Sequence, residues 1–385
     1  MWVSVADGIL IVGAGPLGLA AALRLHALGH QVTLLDARLA SEAHTDSRIL
    51  ALSHGSRQLL ETLHGWPAAD ATPIETIHVS QRGALGRTEL KTREYGLPAL
   101  GYVLPAGALV RALGKAVEQA GIRIEYDTRA LAHSVDAEGI TLACSNRADE
   151  ARSLHAKLTL YCEGRIEADV ESVTRDYDQH AFLLRATPAE HHKHVAWERF
   201  TPDGPIALLP LGRDYAVVWT VAPDALASLR DLPDAELITR LQTAFGSRIR
   251  FSALGERASY PLGLRMRRSP IAERVVWLGN SAQTLHPVAG QGFNLGLRDV
   301  WELAETLRNH ATDPGTDAAL QSYARRRRAD RWGAAGFTHS LVELFSNANP
   351  LLTHARGAGL FALDVLPPLR HFVAKRMIFG ARAWP

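Results

Sequence analysis

The chain has 385 residues, 47% hydrophobic and 21% charged. This length fits two or three domains, and the composition excludes disorder or a fibrous repeat for the chain as a whole. With 42 Lys and Arg against 40 Asp and Glu, the formal charge of +2 makes no electrostatic case for nucleic acid.

Two cysteines, Cys144 and Cys162, form no CxxC pair, so neither a disulfide scaffold nor a cysteine zinc site is supported. Their scarcity suits a reducing compartment. There is no run of about 18 apolar residues to span a bilayer. The first residues lead into a strand without the segments of a secretory signal. The expectation is a soluble cytoplasmic protein, with a surface peripheral to the inner membrane left open.

Residues 8–12 form a short apolar run, a predicted strand. Pro16 then opens a helix with Leu17, Ala21, Leu25 and Leu28 on one face, and Gly29 stops it. Residues 31–35 read as a second buried strand ending at Asp36, which completes a βαβ unit. At its first turn stands Gly13-Ala-Gly15-Pro-Leu-Gly18. Asp36 follows Gly15 by 21 residues, close to the ~20 of the dinucleotide fingerprint. Gly13 permits the tight turn, Gly15 lets backbone approach a pyrophosphate, and Gly18 lets helix pack on strand. The helix N-terminus adds N–H donors, and Asp36 offers acceptors to a ribose diol. The motif alone does not distinguish FAD from NAD.

Residues 76–80 alternate as a strand, 104–120 carry a helical period, and strands follow at 122–126, 139–143 and 157–162. From about 181 to 261 short runs separated by Pro, Gly and Asp predict antiparallel strands. Residues 275–278 are again a buried strand. It delivers the chain to Gly279-Asn280-Ser-Ala-Gln-Thr-Leu-His286-Pro287-Val-Ala-Gly290-Gln-Gly292-Phe-Asn294, a second glycine-rich loop entering a helix. Such a helix start can hold a polar ring edge or a phosphate. The remainder reads as mostly helical.

This second loop resembles that of the FAD-dependent aromatic hydroxylases of the para-hydroxybenzoate hydroxylase type, most closely their ubiquinone-biosynthesis branch. Other stretches fit the same family: residues 46–53 with Arg48, 78–83, 94–102, Trp197-Glu-Arg-Phe200, 204–210, 259–262 and 339–345. The resemblance covers nearly the whole chain and is strongest over residues 275–308.

It implies an α/β chain (α+β overall). A discontinuous Rossmann-like FAD-binding domain (1–75, 101–165, 263–310) would be interrupted by an antiparallel substrate domain (76–100, 166–262), with a helical region at 311–385. One FAD would be held by Gly13, Gly15, Gly18, Asp36, Arg48, Glu163, Gly279 and Asn280, with Pro287, Gly290, Gly292 and Asn294 beside the flavin ring. Glu163-Gly164 stands where the family has Asp-Gly followed by Ser. The charge is kept and the serine is absent, which touches NAD(P)H handling more than FAD. NAD(P)H would be the reductant and O₂ the co-substrate. A flavin C4a-hydroperoxide would hydroxylate a polyprenylphenol, and neither a metal nor a protein nucleophile would be required. The alternatives are an FAD oxidoreductase for another aromatic compound, or a non-catalytic flavin-binding component among other ubiquinone-biosynthesis proteins.

Several residues admit two readings. His286 can relay a proton or simply pack. His191-His-Lys-His194 has no carboxylate or cysteine at matching spacing, so no metal is expected there. Arg325–Arg328 is read as a solvated helix face or partner contact. The mixed apolar and basic stretch 359–379, broken by Pro367 and Pro368, is either core with a homo-oligomer or complex surface, or an interfacial helix on anionic lipid. In the antiparallel region Leu209-Pro210-Leu211, Tyr215 and Trp219 are the pocket candidates.

Overall fold

The computed structural model describes residues 3–4, 8–43, 45–83, 86–167, 170–287, 290–345 and 350–380. Val288 and Ala289 of the second glycine-rich loop, Ala168 after Glu163, and parts of the C-terminal region (346–349, 381–385) lie outside the described residues.

Ile9–Val12 is buried on both faces, as a central parallel strand must be. It lies between Leu158–Tyr161 and Val32–Leu35 in a six-stranded sheet. Arg123–Glu125 closes one edge, and Val275–Trp277 with Ile271–Ala272 closes the other. Alternation sorts its side chains. Ile9 and Ile11 join a core with the helices Pro16–His26, Ala106–Gln119 and Gln291–Leu307. Leu10 and Val12 face the opposite way, onto Ile140, Leu142 and Leu154 of a four-stranded sheet. That sheet contains three strands the sequence reading missed, Val3–Ser4, Arg129–Val135 and Ala151–Ala156.

The predicted antiparallel runs lie in an eight-stranded sheet. Its backbone is two 17-residue strands, Ser172–Pro188 and Phe251–Arg267, paired through three register shifts. Asp214–Val221, Gly204–Leu211 and Val195–Thr201 follow in order by antiparallel pairing. Thr76–Gln81 then joins in parallel with Val195–Thr201. Two helices unforeseen in the sequence, Pro223–Arg230 and Asp234–Phe245, cover one face through Leu226, Leu229, Leu237, Leu241 and Phe245.

The C-terminal region is helical over Asp317–Phe345, Pro350–Val365 and Pro367–Phe379. Pro367 does break the stretch, and it does so by opening the last helix at its first turn.

Candidate active site

The first glycine-rich loop has the geometry its spacing implies. Gly13 has φ +103°, a conformation glycine alone adopts freely, and its N–H donates to Leu35 O (2.7 Å). A Cβ on Gly18 would lie 1.8 Å from Gly13 O, so helix and turn meet backbone to backbone. Gly15 caps the helix and has no atom within 4 Å of where a Cβ would stand. That leaves an approach to the helix N-terminus for a ligand's backbone-hugging group.

Asp36 is 1% exposed and already rich in donors. Its Oδ2 accepts from Ala14 N (3.0 Å) and Arg38 Nη2 (2.7 Å), and its Oδ1 accepts from Arg38 N and Nε (2.9 Å each). A ribose diol therefore reaches this carboxylate only by displacing the Arg38 guanidinium. Arg38, which the sequence reading missed, lies within electrostatic reach of Glu163 and Asp46. Arg48 is bound to Asp46 through Nε (2.9 Å) and Nη2 (2.6 Å), and Arg38 lies within its field. Glu163 overlies the Gly13 turn, where an added Cβ would meet Glu163 Cβ at 2.5 Å. Desolvation, then the Asp36 charge, pushes its carboxyl up to about 7.

The second loop is joined to the first through Leu17. Cβ atoms on Gly279 (φ +63°) and Gly296 would strike its side chain at 2.6 and 3.1 Å. Asn280 is exposed in the short turn Gly279–Ser281. Gly290, in the left-handed region at φ +59°, caps the helix Gln291–Leu307, and Gly292 has nothing within 4 Å of a Cβ position. Asn294 is held on all sides by its neighbours. Its Oδ1 accepts from Ser53 N (2.9 Å) and Ser56 Oγ (2.6 Å), and its Nδ2 donates to Ala51 O (3.0 Å) and Gly290 O (2.6 Å). Every polar valence is used, so Asn294 fixes the loop against residues 51–56 and has no donor or acceptor left for a ring. His286 is 1% exposed and stacks edge-on against Tyr177 at 5.5 Å. Burial pushes its pKa down to about 4. It is a neutral packed histidine, and the cavity beside the loop does not include it.

That cavity, of about 320 Å³, is walled by Pro287, Gly290 and Asn294 at one end and by Ile77, Val79, Ala196, Ala207, Leu209 and Val218 of the eight-stranded sheet. The helices contribute Leu360, Leu363, Val373 and Ile378. Pro210, Tyr215 and Trp219 are not in the wall. Side chains alternate along a strand, so the cavity takes Ala207 and Leu209 while Pro210 points away. Tyr215 and Trp219 belong to the core under the two helices. There Tyr215 Oη accepts from Trp197 Nε1 (3.2 Å) and donates to Val195 O (3.1 Å). The expected pocket aromatics sit one register position off the pocket. The wall holds instead a residue quoted only inside a matching stretch, Glu198. A carboxylate alternating with Ala196 and Phe200 on an otherwise apolar face was the available signal.

Other groups have settled roles. Folding brings Glu75 to His194 Nδ1 (2.8 Å), a pairing no local spacing could show. Both His192 nitrogens are engaged, Nε2 with Gly212 O (2.8 Å) and Nδ1 with His194 N (3.1 Å). The arginine run is not uniformly solvated: Arg327 is 3% exposed and pairs with Asp299 (2.6 Å) and Asp330 (2.7 Å). Burial pushes both thiols up, Cys144 to about 11, so neither is a ready thiolate.

The two glycine cradles with open approaches, each at the start of a helix of 11 or 17 residues, fit an extended dinucleotide running from Asp36 to Pro287. The sequence matches the family described as "FAD binding domain" over residues 7–338. Ubiquinone hydroxylase UbiL of Rhodospirillum rubrum is 32% identical, over 99% of this chain and 91% of that protein. The 3-demethoxyubiquinol 3-hydroxylase of Escherichia coli is 30% identical, over 92% of this chain and 94% of that protein. In structure, p-nitrophenol 4-monooxygenase PnpA from Pseudomonas putida superimposes with a TM-score of 0.79 over 99% of this chain and 100% of that chain. Its 15% identity makes this a likeness of fold.

Proposed function

We propose, from the premise that the chain belongs to the FAD binding domain family, that it is an FAD-dependent monooxygenase hydroxylating the aromatic ring of a polyprenylphenol in ubiquinone biosynthesis. The observation that carries this reading is the shared cavity, in which the second glycine-rich loop and an aliphatic sheet face enclose one space. The names of the ubiquinone hydroxylase relatives support the substrate class.

FAD would lie along both loops. Backbone N–H groups at Gly15 would meet the pyrophosphate, with Asp36, Arg38, Arg48 and Glu163 around its ribose end. Gly279, Asn280, Pro287, Gly290 and Gly292 would border the flavin. Bound FAD supplies the redox chemistry, drawing electrons from NAD(P)H and delivering oxygen from O₂. The chain's own contribution is placement. Asn294 holds the loop, the aliphatic wall keeps water from the reacting ring, and the helices accept the prenyl tail.

A second cavity of about 220 Å³ shares Gln291, Phe337, Val373 and Met377 with the first and extends to Phe372. Phe372 belongs to an exposed apolar set with Phe361, Val365, Leu366 and Leu369. With exposed Lys375 and Arg376 on the same helix, this surface suits an anionic bilayer, from which a prenyl tail would enter. No helix among the described residues is long and apolar enough to cross a membrane.

The purified protein is expected to be yellow and to release FAD on denaturation. NAD(P)H oxidation should rise with a polyprenylphenol, and mass spectrometry should find one added oxygen on the ring. A colourless protein that cannot be reconstituted with FAD, or reductant consumption without ring oxygenation, would overturn the reading.

A further inference from the structure

Glu198 stands in the middle of Val195–Thr201, on the strand face that carries Ala196 and Phe200 into the cavity wall. Its neighbour Trp197 packs on Phe245 beneath the opposite face (6.1 Å between centroids). Across the ladder Glu198 lies beside Val79 and Ala207, both wall residues without polar side chains. Among the described residues its carboxylate has neither an ion pair nor a hydrogen-bond partner.

The surrounding charges are committed elsewhere. Arg370, the other charged wall residue, pairs with Glu94 (3.1 Å) and donates to Asp364 O (2.7 Å). Arg87, Glu89 and Lys91 alternate with the wall residues Thr88 and Leu90 and so point the other way. Arg248 donates to His78, whose side chain likewise alternates with those of Ile77 and Val79. On the helices, Asp364, Lys375 and Arg376 are exposed. A carboxylate alone in an aliphatic wall weakens a fold, so packing does not account for it.

We infer that Glu198 is a catalytic residue: it faces the ring hydroxyl of the phenol and accepts its proton. This rests on the substrate reading above. The O–H bond breaks heterolytically, the proton going to a Glu198 oxygen and the electron pair into the ring. The carbon ortho or para to that oxygen then becomes the nucleophile toward the oxygen atom supplied by O₂ and NAD(P)H through FAD. When the ring rearomatises, the C–H proton is lost to the water formed from the second oxygen atom. The first ring oxygen takes its proton back from Glu198, which ends ionised. Burial raises the Glu198 carboxyl to about 7, nearer the range in which a base works well at neutral pH.

The test uses FAD-loaded enzyme, with 2-geranylphenol and its methyl ether as probes. Without NAD(P)H, binding is followed by perturbation of the oxidised flavin spectrum. Wild type should bind the phenol about tenfold tighter than the ether, and Glu198→Gln should bind both within about twofold. With NAD(P)H, hydroxylated product per reductant consumed should fall about 100-fold in Glu198→Gln with FAD content unchanged. The acidic limb of kcat/KM near pH 7 should vanish with it. Glu198→Asp should keep the phenol preference and the limb while losing rate, and it serves as the folded control if the Gln variant fails to load FAD. Undiminished hydroxylation and unchanged phenol preference in Glu198→Gln, or no phenol preference in Glu198→Asp, would overturn the assignment and leave the hydroxylase reading standing. Wild-type enzyme that binds neither probe would overturn both.

Discussion

Glu163 and Glu198 are two carboxyls raised to about 7 from an ordinary value of 4.5. For an acid whose folded pKa lies above its unfolded one, the folded state binds the extra proton between the two values. Its stabilising effect is full below about 4.5 and is lost as pH rises through 7. The Glu198 shift corresponds to at most roughly 3 kcal/mol. Glu198→Gln should therefore melt a few degrees above wild type near pH 8 and level with it near pH 5, as calorimetry would show. Glu163 acts on a ligand as well, since it overlies the turn proposed to hold a pyrophosphate. Ionised, it opposes that charge by roughly 1 kcal/mol, about fivefold in Kd. FAD affinity should weaken between pH 6 and pH 8 in wild type, and Glu163→Gln should abolish the trend. Equal pH slopes in equilibrium titrations of the two proteins would count against a phosphate beside Glu163.

At the scale of elements, the helix Gln291–Leu307 carries the second loop, and its register depends on buried charge. Asp299 accepts from Gln283 Nε2 (2.6 Å) and pairs with Arg327, which reaches Asp330, itself held by Arg298 (2.8 Å). Removing one member of a buried pair strands the others at about 3–5 kcal/mol. Arg327→Met should lower the melting temperature by several degrees and speed FAD loss, whereas Arg328→Met, at an exposed position, should do neither. The sequence showed the run of four arginines but not which one turns inward. One helical turn carries both kinds, and Asp299, 28 residues away, decides. Where periodicity is strong, as in Val32–Leu35 and Ala106–Gln119, the elements were legible to within a residue or two. Arg129–Val135 was not, because most of its side chains are exposed and it carries no apolar alternation to read. The glycine loops were legible because glycine marks backbone geometry directly. The pocket was legible only at Leu209, because a single step of register along Gly204–Leu211 and Asp214–Val221 separates the wall residues Leu209 and Val218 from Pro210 and Trp219.

At the scale of the whole molecule, a formal charge of +2 hides an uneven distribution of apolar and basic groups. Phe361 is 61% exposed, Val365 54%, Leu366 51% and Phe372 45%, along two adjoining helices and the junction between them, and the inner residues of these helices line the cavities. Burying such side chains in lipid is worth about 25 cal/mol per Å², and each nearby Lys or Arg adds about 1 kcal/mol on an anionic surface. Binding should thus need both contributions, and salt should weaken it by screening the second. The full-length protein is expected to sediment with vesicles containing anionic phospholipid, less so at high salt, and weakly with zwitterionic vesicles. Replacing Phe361, Leu366 and Phe372 together by Ser should abolish sedimentation. If the patch delivers substrate, the same variant should lose turnover of a long-chain polyprenylphenol presented in vesicles and keep turnover of 2-geranylphenol in solution. Equal losses on both substrates would instead make these side chains part of the cavity's architecture, and unchanged sedimentation would remove this surface from membrane contact.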